Sequence, residues 1–248
     1  LAVPAHWKAI DFISDLHLSE ALPQTFEAWS AHLLNTPADA VFMLGDVFEV
    51  WVGDDMGRLP FEARCLAVMA EAACHRQLAF MVGNRDFLFS ATVLRACGAI
   101  ALPDPTALHA WGRSVLLTHG DALCLDDKPY QAFRAEVRGA AWQTAFLALS
   151  LEARLGIARD IRRASATRPR SEADLTLDLD PAETVNWMHV MGADEMVHGH
   201  THRPGSAPLV PGFKRHVLGD WNLDTDRRAE VLRLTRAGFT RLPPCRPA

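Results

Sequence analysis

The sequence predicts an α/β fold, because short apolar runs of strand length alternate with longer amphipathic, alanine-rich stretches of helix length. The runs are Ala9–Ile13, Ala40–Leu44, Leu78–Val82, Ser114–Leu117 and Glu195–Val197, and their brevity and apolarity suit buried strands. Thr25–Leu34 and Phe61–Arg76 are the helical candidates between them. At 248 residues the chain is long enough for one large domain with a substantial core, and residues 1–248 are read as that domain.

The alternation stops between Lys128 and Arg170, where no strand pattern occurs and nine Lys/Arg face three acids. This segment carries six net positive charges, so the rest of the chain stands at −11 within a total of −5. Apolar residues recur at helical spacing as Trp142/Phe146/Leu149/Ala153 and Leu147/Leu151/Leu155. The segment reads as a helical insertion of about 128–170 lying against the main domain, either a functional cap or a surface helix pair with a solvated basic face. After Arg241 the proline-rich tail reads as a loose end.

A net charge of −5 gives no footing for nucleic-acid binding, which needs a basic excess. The five cysteines, Cys65, Cys74, Cys97, Cys124 and Cys245, are scattered, odd in number and without a C-x-x-C pair, as expected of reduced thiols in the cytosol. The first ten residues lack the pattern of a signal peptide, and no apolar run reaches membrane-spanning length.

The chemically distinctive residues cluster just beyond the C-terminal end of each run. The five runs lead into Asp15-Leu16-His17, Gly45-Asp46, Gly83-Asn84-Arg85-Asp86, His119-Gly120-Asp121 and His198-Gly199-His200-Thr201-His202. In an α/β sheet the loops beyond the strand C-termini share one edge, so Asp15, His17, Asp46, Asn84, His119, His200 and His202 are expected to converge. Imidazoles, carboxylates and an amide oxygen, with no thiolate, suit Mn²⁺, Fe²⁺ or Zn²⁺ rather than a structural zinc. Seven donors exceed one tetrahedral ion and match two ions sharing a bridge, for which the two oxygens of Asp46 are the natural choice.

This ordered set resembles the calcineurin-like metallophosphoesterase superfamily. The resemblance implies two mixed β-sheets flanked by helices, with one ion on Asp15, His17, Asp46 and His202 and a second on Asp46, Asn84, His119 and His200. The chain departs from the commoner signature in having Arg85 where a His follows the Asn. Arg85 either clamps phosphate oxygens, keeping its charge at every working pH, or simply pairs with Asp86.

Longer strings narrow the resemblance. Phe12-Ile13-Ser14-Asp15-Leu16-His17-Leu18, Leu44-Gly45-Asp46-Val47-Phe48-Glu49, Trp51-x-Gly53-Asp54-Asp55, Gly83-Asn84-Arg85-Asp86-Phe87-Leu88 and Asp126-Asp127-x-x-Tyr130-Gln131-x-Phe133-Arg134 are similar to the UDP-2,3-diacylglucosamine hydrolases of lipid A biosynthesis in Gram-negative bacteria, as is His198-Gly199-His200-Thr201-His202-Arg203-Pro204. That family implies Mn²⁺-dependent attack of activated water on the α-phosphorus, releasing UMP and a diacylglucosamine 1-phosphate, at the cytoplasmic face of the inner membrane. Carried over by position, Arg85, His119 and His200 are the candidate catalytic residues. Asn84, Arg85, Asp127, Ser165 and His200 are the candidate substrate contacts. Beyond Ser165 the match fails, since Pro169 and Glu172 stand about where the family has an Asn and a Lys. Arg168 or Arg170 is a candidate replacement cation there. Trp51, Asp54 and Asp55 either pack and cap a loop or meet substrate.

The basic insertion suits an anionic lipid surface, and its apolar stripes suit acyl chains. Two other functions fit the ligand set: hydrolysis of another phosphodiester or pyrophosphate, such as a nucleotide, or a metal-bound scaffold without catalysis.

Overall fold

The computed structural model describes residues 1–167 and 178–246, the first stretch with side chains to residue 164. Two mixed sheets lie face to face. In the first, β1 (Ala9–Ile13), β2 (Ala40–Leu44), β3 (Gln77–Met81) and β4 (Ala99–Ala101) run parallel; β10 (Val231–Thr235) and β11 (Gly238–Leu242) extend it antiparallel beyond β1. The second sheet takes the order β5 (Thr106–Ala110), β6 (Arg113–Thr118), β7 (Glu195–His198), β9 (Phe213–Val217) and β8 (Gly205–Val210), with β6, β7 and β9 parallel.

Strand alternation divides the core. In β2, Val41 and Met43 face Trp29, Leu33, Cys65 and Met69, whereas Ala40, Phe42 and Leu44 pack against Leu108, Val115, Leu117 and Val197 of the other sheet. The apolar runs are thus buried on both faces, one against helices and one against the second sheet. Helix α1 (Pro23–Asn35) contributes Phe26, Trp29 and Leu33, and α2 (Pro60–Ala73) contributes Phe61, Cys65, Met69 and Ala72, both at the three- and four-residue spacing that lines one helical face. Each begins on a proline, whose fixed φ and missing N–H are harmless in the first turn. The short α3 (Ala91–Ala96) starts instead on Ser90, whose hydroxyl accepts from the N–H groups of Thr92 and Val93. On the far side, Leu116 of β6 and Met196 of β7 pack against Met188 of α7 (Pro181–Val190).

Among the described residues, the insertion holds three helices rather than a pair: α4 (Lys128–Val137), α5 (Ala140–Leu147) and α6 (Leu151–Thr167). The break at 148–150 resets the helical phase, so neither predicted stripe is continuous. Trp142 and Phe146 stack at 4.5 Å and turn inward with Leu151 and Leu155, while Leu147, Leu149 and Ala153 face outward. The tail is also better held than its composition suggests. Strand β11 runs through Leu242, and the backbone N–H of Cys245 donates to Nδ1 of His32 at 3.2 Å.

Candidate metal centre

The parallel strands β1, β2 and β3 and the parallel pair β6 and β7 all deliver their C-terminal loops to one place, and backbone hydrogen bonds stitch those loops together. The N–H of Asp15 donates to the carbonyl of Gly45 at 3.0 Å, that of His17 to Asp46 at 3.1 Å, and that of Gly199 to His119 at 3.0 Å. Across the two sheets, the N–H of Trp221 donates to the carbonyl of Asp15 at 3.0 Å.

Local backbone marks the same residues. Asp15, His17, Asp46, His200 and His202 all have φ between 49° and 64°, a left-handed conformation that non-glycine residues seldom adopt. Only Trp111 and Arg227 share it among the other described non-glycine residues. The glycines serve close approach: a Cβ on Gly83 would strike the carboxylate of Asp46, and one on Gly199 would strike that of Asp15 and the hydroxyl of Ser14.

All seven predicted donors assemble. Asp15, His17 and His202 bring one ligand atom each within 4.8 Å of one another, and so do Asp15, Asp46 and His119. Asp15 is common to both groups. Nε2 of His119 lies 3.0 Å from Oδ1 of Asn84 and 3.6 Å from Oδ1 of Asp46. His200 completes this side with its ring 5.2 Å from that of His119, and its backbone N–H donates to Asp15 at 3.0 Å.

Second contacts aim these candidate donors. Nδ1 of His119 meets the carbonyl of Leu44 at 2.9 Å, which leaves Nε2 to face the centre. Nδ1 of His202 lies 3.7 Å from Asp220, which Arg228 holds at 2.6 Å. Asp86 is fully buried and accepts from the N–H groups of Gly83 at 2.7 Å and Val47 at 2.8 Å, tying the loop after β3 to the loop after β2.

The electrostatics are those of a site built around positive charge. Burial, reinforced by the carboxylates of Asp86 and Asp15, pushes Asp46 up to about 7. Burial pulls His119 down, but Asp46, Asp15 and Asp121 outweigh it and hold the imidazole at about 9. Burial keeps His200 at about 4 and, helped by Arg85, keeps His17 well below its usual range, so both present neutral nitrogens. Buried carboxylates, with Asp15 held ionised by the histidines around it, beside the neutral imidazoles of His17 and His200, are donors whose chemistry fits divalent cations.

Arg85 sits at the rim. It does not pair with Asp86, whose oxygens are taken by backbone N–H groups. Its Nη1 donates to Glu49 at 2.9 Å, its Nε lies 3.5 Å from Asp46, and its backbone N–H donates to Asp46 at 2.9 Å. Asp127 caps α4, accepting from the N–H of Tyr130 at 3.1 Å. The side chain of Ser165 lies outside the described residues, as do Arg168, Pro169, Arg170 and Glu172. For Trp51, Asp54 and Asp55 the packing alternatives hold. Trp51 is buried against Phe48 and Phe89, Asp54 accepts from the hydroxyl of Ser90 at 2.6 Å, and Asp55 pairs with Arg154.

Much of the insertion's positive charge is directed inward. Arg134 binds Asp121 at 2.7 Å, Arg138 donates to the carbonyl of Gly83 at 2.9 Å, buried Arg154 donates to Asp55 and to the carbonyl of Val52, and Arg162 pairs with Glu49. Tyr130 and Gln131 add bonds to Asp121 at 2.6 Å and 2.8 Å. The string from Tyr130 to Arg134 therefore fastens the insertion to the turn after His119.

Asp220, Asp86 and Glu49 escaped the sequence reading. Asp220 carried a usable signal, since Leu218-Gly219-Asp220 after β9 repeats the strand–Gly–Asp pattern of Leu44-Gly45-Asp46.

A "UDP-2,3-diacylglucosamine hydrolase" of Xanthomonas oryzae pv. oryzae (strain PXO99A) is 40% identical over 241 residues, covering 92% of this chain and 96% of that protein. The protein of the same name from Stenotrophomonas maltophilia (strain K279a) is 39% identical with the same coverage. The chain belongs to the UDP-2,3-diacylglucosamine hydrolase family. A third hydrolase of that name, from Xanthomonas axonopodis pv. citri (strain 306), is 42% identical over 222 residues, covering 85% of this chain and 90% of its own. No family model matches the chain. Among solved structures, a novel archaeal phosphodiesterase matches with a TM-score of 0.47 at 13% identity, covering 94% of this chain and 98% of that one. Among the described residues, no helix is long and apolar enough to cross a membrane.

Proposed function

We propose that this chain hydrolyses the pyrophosphate of UDP-2,3-diacylglucosamine, giving UMP and the diacylglucosamine 1-phosphate, and that it does so as a single domain with the helices of 128–167 as its cap. The observation that carries the reading is Arg85 at the rim of a seven-donor cluster, its Nε 3.5 Å from Asp46. A permanent cation there complements charge that builds on phosphoryl oxygens during displacement. Family membership supplies the substrate, since relatives at 39–42% identity carry its name.

Two divalent ions, Mn²⁺ in our reading, supply an activated water and neutralise phosphoryl charge when bound. Asp15, His17, Asp46 and His202 would hold one, and Asp46, Asn84, His119 and His200 the other, with Asp15 near both. Arg85 turns its guanidinium to the phosphoryl oxygens. By the family resemblance, Asn84, Asp127, Ser165 and His200 would contact substrate. The leaving group is a phosphate monoester, so no side chain need protonate it. His119 and His200 act first as ligands.

The deciding assay is Mn²⁺-dependent release of UMP from UDP-2,3-diacylglucosamine. Arg85→Ala is expected to lower kcat about 10²- to 10³-fold, as loss of a charge stabiliser does. Ser165→Ala is expected to raise KM. Turnover of soluble nucleotides alone would replace the lipid by a nucleotide substrate. An Asp46→Ala variant that folds and keeps full turnover would remove Asp46 from the ligand set, and a wild-type protein that turns over neither substrate would leave only a scaffold.

We also infer that the cap meets the cytoplasmic face of the inner membrane. Leu147, Leu149, Ile157 and Ile161 on and between α5 and α6 are 45%, 42%, 37% and 39% exposed, four of the six large hydrophobic side chains exposed among the described residues. Sedimentation with anionic vesicles is expected to carry the protein down, and Ile157→Asp with Ile161→Asp to leave most of it in the supernatant. A wild-type protein that stays in the supernatant at low salt would exclude docking on the leaflet.

A further inference from the structure

Glu49 comes three residues after the ligand Asp46, and its side chain is 29% exposed. Its carboxylate receives Nη1 of Arg85 at 2.9 Å and Nη1 of Arg162, and Nδ1 of His17 lies 3.6 Å away. The two guanidiniums come from separate parts of the molecule: Arg85 from the loop after β3, Arg162 from α6 of the cap. Arg162 also donates to the backbone carbonyl of Glu49 at 3.2 Å.

A carboxylate and a phosphoryl group make the same demand on a guanidinium, since each offers paired anionic oxygens to its N–H fork. The Nε of Arg85 faces the metal centre through Asp46, while its Nη1 is held by Glu49. An incoming phosphoryl oxygen therefore meets an arginine already engaged by an internal anion. We propose that Glu49 is a positioning residue that competes with phosphate for Arg85. In the empty site it holds the Arg85 side chain in place. When phosphate arrives it yields Arg85 and keeps α6 seated through Arg162. On departure of a phosphate-bearing product it takes Arg85 back, which favours release. This inference rests on the phosphoesterase reading of the site, but not on the identity of the lipid.

The probe is inorganic phosphate, titrated by calorimetry into the Mn²⁺-loaded protein. Glu49→Gln is expected to bind phosphate about tenfold more tightly, the equivalent of one charge-assisted hydrogen bond no longer competed for. The same substitution in an Arg85→Ala background is expected to change phosphate affinity by less than about twofold, because the competed group is gone. Glu49→Asp keeps the charge but withdraws it by one methylene, so tightening in that variant reflects contact rather than net charge, and it decides the matter if Glu49→Gln does not fold. Unchanged or weaker phosphate binding in the single variants would overturn the proposal. So would equal tightening with and without Arg85, which would reduce Glu49 to a general field effect. If phosphate behaves as expected while UDP-2,3-diacylglucosamine is not turned over, only the substrate assignment fails.

Discussion

Asp86 carries no ligand role, yet it sets the distance between two ligand loops. One carboxylate oxygen takes the N–H of Gly83 and the other takes that of Val47, with Phe48 at 3.4 Å. In Asp86→Ala these donors stay buried without partners, at a cost of about 2–4 kcal/mol. Urea denaturation is expected to show that loss together with weaker metal affinity; a change within about 0.5 kcal/mol would mean that water replaces the carboxylate. At this scale the candidate donors that the fold brings together were legible because each is a chemically distinctive residue in a short loop at the end of an apolar run. Glu49 and Asp86 were not legible, because nothing local distinguishes a carboxylate that contacts a guanidinium from one that caps a turn. Only the fold brings Arg162 to Glu49 across 113 residues.

Among the elements, β1 carries a polar exception in an apolar strand. Asp11 is fully buried and meets Nε and Nη2 of Arg233 on the neighbouring β10 at 2.6 Å and 2.8 Å, with Thr36 at 2.6 Å. Burial alone would raise its pKa, but the bonds from Arg233, His32 and Thr36 prevail and hold it at about 2, below its ordinary 3.8. A depressed carboxylate stabilises the fold above its unfolded pKa, and that stability is lost as the pH falls through the folded value. The window is therefore about pH 4 down to 2. Arg233→Ala strands a buried charge and is expected to cost about 3–5 kcal/mol at pH 7 and to move the acid-unfolding midpoint upward. An unshifted midpoint would show that His32 and Thr36 suffice.

This pair also explains a gap in the sequence reading. The parallel strands β1, β2 and β3 announce themselves because they are buried on both faces. Strand β10, Val231–Thr235, is interrupted by Arg233, and β8 holds Gly205, Ser206 and Pro208, so neither reads as an apolar run. Among the described residues, six of the eleven strands are of this less apolar, short or edge kind, and pairing rather than composition defines them. The insertion was legible as helical and basic, but not in the direction of its charges. Arginines that bind inward and arginines that face water are the same letters.

For the whole molecule, the candidate metal centre lies where the two sheets meet, and it gathers buried carboxylates that repel one another. Chelation is expected to lower Tm by several degrees, since ions that bind only the folded state stabilise it in proportion to the logarithm of their concentration. Added Mn²⁺ should restore the melt; a Tm indifferent to both would mean that the donor set holds no ion in solution. The inward arginines bear on the membrane as well. With Arg134, Arg138, Arg154 and Arg162 engaged internally, vesicle binding is expected to rest more on the apolar α5–α6 face than on charge. It should survive moderate salt that would abolish a purely polybasic contact.

The left-handed turns at Asp15, His17, Asp46, His200 and His202 have one more consequence. An unfolded chain seldom visits that backbone region, and these five turns come from both sheets, so no fragment carrying a single sheet presents the donors in working order. Ion affinity thereby becomes a gauge of assembly. In a denaturant titration the ion should depart at the midpoint where the sheets separate, not earlier by loosening of loops and not later by retention on a residual peptide.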